Sequence, residues 1–117
     1  MRLKISTRKI GNTIIVDCYG YVVFGDETTL LREQVKALLP SSPQIVLNLR
    51  DVTFMDSSGM GTLIELYTST KKAGGSLKLA NLTKRIRDAL TIAKLILVFE
   101  TFADEHAAVS SFLTKPA

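Results

Sequence analysis

Polar and apolar residues alternate from the second position onward, with Arg2, Lys4 and Ser6 set against Leu3, Ile5 and Thr7, the two-residue period of a half-buried strand. Gly11-Asn12 then predicts a turn. Strand-forming Ile14, Ile15, Val16 and Tyr19 carry a second strand over Thr13–Gly20, so the two runs make a hairpin. Tyr21 to Gly25 is apolar without a clear period and reads equally as core or as an exposed contact patch. From Asp26, which can cap a helix, Leu31, Val35, Leu38 and Leu39 recur at i, i+4, i+7 and i+8, one face of a helix. Pro40-Ser41-Ser42-Pro43 ends it.

Ile45–Leu49 is nearly all apolar, which predicts a central strand covered on both faces. Past a loop through Asp56-Ser57-Ser58, Met60, Leu63, Ile64 and Tyr67 fall at i, i+3, i+4 and i+7, a second helix that Gly74-Gly75 stops. Leu77–Ala80 is a short strand. Thr83 caps a third helix that buries Ile86, Ala89, Leu90 and Ala93 and turns Lys84, Arg85 and Arg87 outward. Val98–Phe102 is strand-like, and Asp104 opens a last helix striped by Val109, Phe112 and Leu113. A hairpin followed by alternating helices and strands predicts one α/β domain. Its mixed sheet has four to five strands, antiparallel at the N-terminal hairpin and mostly parallel after it, flanked by about four helices. Ile45–Leu49 belongs at the centre and Leu3–Thr7 at or near an edge.

Length and composition narrow the classes. The 117 residues suit a single domain over 1–117, which buries about 65% of its unfolded surface without metals or disulfides. Hydrophobic residues at 46% and charged residues at 22% exclude wholesale disorder. The single Cys18 rules out an internal disulfide framework, and with one histidine, His106, no metal or cofactor is expected. The alternating N-terminus lacks the apolar core of a signal peptide, and no run approaches the ~20 residues of a membrane helix, so a cytoplasmic protein off the membrane is expected. Fifteen Lys and Arg against eleven Asp and Glu leave +4, too small an excess for a nucleic-acid footprint.

The segment Phe54-Met55-Asp56-Ser57-Ser58-Gly59-Met60-Gly61 stands where a core strand passes into a strong helix. Asp56 or Ser57 can cap that helix by accepting from its free N–H groups. Gly59 and Gly61 each cost ~1 kcal/mol relative to alanine inside a helix, so two in the first turn imply close approach to the backbone. A helix N-terminus also tolerates an added phosphate on a serine hydroxyl. On physical grounds alone, a plain helix cap accounts for the segment equally well.

Leu47-Asn48-Leu49, Val52, Phe54 to Gly61 and Gly74-Gly75 together resemble the signature of the STAS domain family, and within it bacterial anti-sigma factor antagonists. The resemblance extends over essentially the whole chain. It implies a binding protein, not an enzyme. In that family an ATP-binding serine kinase, itself the anti-sigma factor, phosphorylates the second serine of the pair, which maps to Ser58. The unmodified antagonist captures that kinase and frees the sigma factor for transcription; a serine phosphatase resets the cycle. The implied partner surface comprises Asp56, Ser57, Ser58, Gly59, Met60 and Gly61, with Val22 and Val23 from the stretch after the second strand. Relatives usually carry a Gly-x-Leu-Asp stretch there. This chain has Gly20-Tyr21-Val22-Val23 and no acid before Asp26, so a more apolar contact is expected. A monomer or weak dimer without direct nucleic-acid contact is implied.

A STAS scaffold module of a larger signalling assembly, not acting on a sigma factor, would assemble into large particles; a small-ligand sensor would retain its ligand on purification. A hydrolase lacks support, because no Gly-x-Ser-x-Gly elbow is present and His106 beside Asp104 and Glu105 reads as an ordinary helix residue. Neither phosphate-binding glycine motif occurs. Asp51 and Asp56 read as a loop acid and a cap, Lys84, Arg85 and Arg87 as a solvated face, and Cys18 as a core residue.

Overall fold

The computed structural model describes residues 2–113, so the expected domain span of 1–117 runs beyond it at both ends. The hairpin forms with β1 at Lys4–Ile10 and β2 at Thr13–Val22, antiparallel, with Ile10 opposite Thr13 across the Gly11-Asn12 turn. Helix α1 (Asp26–Leu38), β3 (Gln44–Met55), α2 (Ser57–Lys72), β4 (Ser76–Ala80), α3 (Lys84–Ile92), β5 (Glu100–Phe102) and α4 (Glu105–Leu113) follow. The five strands lie in the order β1-β2-β3-β4-β5, with every pair after the hairpin parallel. β3 is therefore central and β1 an edge, as the apolar run and the alternation predict.

Sequential strand order decides where the helices go. Each parallel crossover turns with the same hand, so α1, α2 and α3 all land on one face. There Leu31 and Val35, Leu63 and Leu66, and Ile86 and Leu90 meet Val16, Leu47, Leu49, Leu77 and Leu79 in the main core. Among the described residues the opposite face is covered by α4, through Ala108, Val109 and Phe112 against Ile15, Val46 and Ala80. A buried Lys78 also holds α4: its Nζ lies 4.1 Å from the Phe112 ring centroid and donates to Ser111 Oγ at 2.6 Å.

Several boundaries differ from the sequence reading. Residue Asp26 is the first residue of α1, not its cap. The cap is Gly25, at φ 112°, a backbone conformation that favours glycine, and no side chain bonds the free N–H groups. β3 runs to Met55, six residues past Leu49, because Val52 and Met55 continue into the core. Strand β5 starts at Glu100, with 95–98 forming a turn-rich connection in which Leu97 is exposed. Residue Ala93 is exposed instead of buried, and Leu113 points away from the α4 stripe into solvent. At the end of α2, Gly74 takes the left-handed turn at φ 92°. Cys18 lies in the core, and burial, helped by the Asp17 charge, pushes its thiol up to about 12. Asp17 in turn is held below the usual carboxylate range by Arg8, which donates from Nε at 2.6 Å, and by Asn48.

Candidate functional site

Because β2 and β3 are adjacent and parallel, the helices that follow them begin side by side at the same end of the sheet. Asp56 ties the two starts together. Its Oδ1 accepts from Gly59 N–H at 2.8 Å, the cap of α2, and its Oδ2 accepts from Phe24 N–H at 3.0 Å in the β2–α1 turn. Of the two residues that could cap α2, Asp56 is the one that does. A carboxylate here is favoured by both donors and by the positive end of the helix.

The two glycines of the first turn serve different ends. A Cβ on Gly59 would stand 2.2 Å from the Val22 carbonyl oxygen and 2.7 Å from Met55 Cγ, so the close approach there comes from the fold itself. A Cβ on Gly61 would meet nothing within 4 Å beyond its own helix backbone and chain neighbours. Its open backbone, unlike that of Gly59, is available to something from outside.

The remaining site residues separate in the same way. Ser57 is exposed and Ser58 half-buried, while Met60 packs its side chain against the main core. Val22 is a correction to the expected partner surface: it is 0% exposed and packs in the core, because it precedes the point where the chain leaves the sheet. Val23 is half-buried, its carbonyl accepting from Thr28 N–H at 3.2 Å. Phe24 is 78% exposed and supplies the apolar surface instead.

Ser58 and Gly61 line an open cavity of about 360 Å³, together with Phe24, Thr28, Thr29, Arg32 and Thr62. Thr62 is legible as a neighbour of Ser58, being four residues on along the same helix; its Oγ1 donates to the Ser58 carbonyl at 2.9 Å. Thr28, Thr29 and Arg32 carry no such local signal. They reach the site only because α1 packs beside α2, where Arg32 Nε donates to Glu65 Oε1 at 3.0 Å and Lys36 Nζ to Glu65 Oε2 at 2.5 Å.

Among the described residues no cluster of His, Cys, Asp and Glu could hold a metal ion. His106 is exposed on α4. On α3, Lys84, Arg85 and Arg87 are exposed, and Lys84 pairs with Asp88 of its own helix at 2.8 Å. No helix among the described residues is long and apolar enough to cross a membrane.

The family model described as STAS domain matches residues 4–108. The anti-sigma-B factor antagonist of Bacillus subtilis (strain 168) is 30% identical over 110 residues, covering 93% of this chain and 99% of that one. Two solved structures share the fold. An anti-sigma factor antagonist from Mycobacterium paratuberculosis superposes with a TM-score of 0.82 at 18% identity, covering 96% of this chain and 95% of the other. The Bacillus cell fate determinant SpoIIAA in its phosphorylated form gives 0.71 at 17% identity, covering 92% of this chain and 99% of the other.

Proposed function

We propose that this chain, which belongs to the STAS domain family, is an anti-sigma factor antagonist whose partner-binding state is set by phosphorylation of Ser58. Residues 1–117 act as one STAS domain in the cytoplasm, as a monomer or weak dimer, by binding and not by catalysis. The observation that carries the reading is the placement of Ser58. It lies in the first turn of a helix already capped by Asp56, beside an open cavity and the exposed Gly61 and Phe24. An ATP-binding serine kinase, itself the anti-sigma factor, docks on this end of the sheet, and the unmodified chain holds it away from its sigma factor. A phosphate brings a charge of about −1.5 to −2 next to Asp56 on that contact surface, so the complex releases; a serine phosphatase restores binding.

Two features support modification without unfolding. The α2 N-terminus offers N–H donors and a favourable dipole to the added charge. The relative solved in phosphorylated form has the same fold as this chain. The test is to incubate the chain, Ser57→Ala and Ser58→Ala with the serine-kinase anti-sigma factor and ATP, then locate the phosphate by mass spectrometry. Ser57→Ala is expected to be modified on Ser58, and Ser58→Ala to bind the kinase without being modified. Phosphate confined to Ser57 would overturn the assignment.

A further inference from the structure

The facing sides of α1 and α2 meet at one arginine. Arg32 Nε donates to Glu65 Oε1 at 3.0 Å, and its Nη2 donates to Thr62 Oγ1 at 3.4 Å. Thr62 in turn donates to the Ser58 carbonyl at 2.9 Å, so the guanidinium is two hydrogen bonds away from the residue assigned as phosphoacceptor. Among the described residues lining the shared cavity of about 360 Å³, Arg32 is the one cation. That space holds on the order of ten waters at ~30 Å³ each, so a phosphate fits without displacing side chains.

We propose that Arg32 is the counter-charge for phosphorylated Ser58: on modification its guanidinium turns from Glu65 to the phosphate, and α1 thereby carries the mark of a modification made on α2. This rests on the reading of Ser58 as the modified residue.

Four observations favour the exchange. The Glu65 contact uses a single charge-assisted bond from Nε, whereas a phosphate offers three oxygens and suits a two-pronged guanidinium contact. Glu65 is not stranded when Arg32 leaves, because Lys36 holds its other oxygen at 2.5 Å. Glu65 lies below the usual carboxylate range, with Lys36 the first cause and Arg32 a lesser one, as expected if Lys36 alone suffices. Asp56 is occupied by two backbone donors and stays in place, so an added phosphate next to it is drawn toward the cation across the cavity.

The test uses the full chain with phosphoserine installed at position 58 during synthesis, so that no kinase is needed. Phosphorus NMR over a pH series reads the second ionisation of the phosphate, and nitrogen–proton spectra read the Arg32 Nε–H resonance. Arg32 lowers that ionisation by about half a pH unit relative to Arg32→Gln, and Arg32→Lys keeps part of the effect. The Nε–H resonance shifts on phosphorylation of the parent chain, a reading that needs no variant to fold. Equal titrations in the parent and Arg32→Gln, or an unmoved Nε–H resonance, would overturn the pairing. Failure of a kinase to modify Ser58 would instead count against the proposed function and leave these readings intact.

Discussion

Gly59→Ala and Gly61→Ala, two residues apart in the first turn of α2, are expected to change stability in opposite directions. At Gly59 the new methyl would stand 2.2 Å from the Val22 carbonyl oxygen, so the pair must separate by at least 0.8 Å to reach 3.0 Å. The carbonyl has little freedom to retreat: Val22 is 0% exposed, and its oxygen accepts from Asp56 N–H at 3.3 Å. Met55, with its Cγ at 2.7 Å from the same methyl, is itself 5% exposed. Overpacking of this kind costs about 1–3 kcal/mol and a strained backbone hydrogen bond adds about 1, against a helix-propensity gain of about 1. The net loss is about 1–3 kcal/mol. At Gly61, where a Cβ would meet nothing within 4 Å beyond its own helix backbone and chain neighbours, only the propensity gain remains, about 0.5–1 kcal/mol of stabilisation. Urea unfolding followed by far-ultraviolet circular dichroism checks both. At a slope of about 2 kcal/mol per molar, Gly59→Ala lowers the midpoint by about 0.5–1.5 M and Gly61→Ala raises it by about 0.3–0.5 M. A Gly59→Ala midpoint equal to the parent's would refute the packing argument, and an equal loss in both variants would show that the Val22 contact is not the difference between them.

Two further outcomes follow from the geometry. Asp17 sits below its ordinary range in the folded chain, so it stabilises the fold above the unfolded carboxylate value of ~3.9, and that stabilisation is lost as pH falls through the folded value. Asp17→Asn is expected to cost about 1–2 kcal/mol at neutral pH, the low end for such a pair because Arg8 is 44% exposed, with the gap to the parent closing in urea titrations only as pH falls below the unfolded carboxylate value. Phe24→Ala leaves the unfolding midpoint within ~0.3 M of the parent but weakens capture of the kinase partner about tenfold or more, with little change in salt dependence. Calorimetric titration at low and high salt measures it.

Element order and strand direction were legible because the signals are local. The alternation in β1, the apolar run of β3 and the helical spacing in α2 each identify an element without reference to the rest. What stayed hidden depends on contacts between distant segments. Asp17, Arg8 and Glu105 join β1, β2 and α4 across 97 positions, and no spacing rule connects them. Gly59 and Gly61 are alike in sequence, and only the Val22 carbonyl above one of them tells them apart. Val22 and Phe24 sit in the same apolar run, yet the chain leaves the sheet between them, sending one to the core and the other to solvent. Arg32 looks like any polar residue of α1 until the parallel pairing of β2 and β3 sets its helix against α2. The site is thus half visible: the segment that carries it can be read directly, while the opposing wall requires the fold.

The most direct measurement of the central claim is the affinity of the serine-kinase anti-sigma factor, held in ADP, for the unmodified chain and for the chain synthesised with phosphoserine at position 58. Burying beside Asp56 a phosphate whose charge of about −1.5 to −2 is only partly offset by Arg32 is expected to cost several kcal/mol in that contact. Calorimetric titration should therefore show at least ~100-fold weaker binding of the phosphorylated chain, with its circular dichroism unchanged. Affinities within about threefold of each other, at 1.4 kcal/mol per tenfold, would contradict the account.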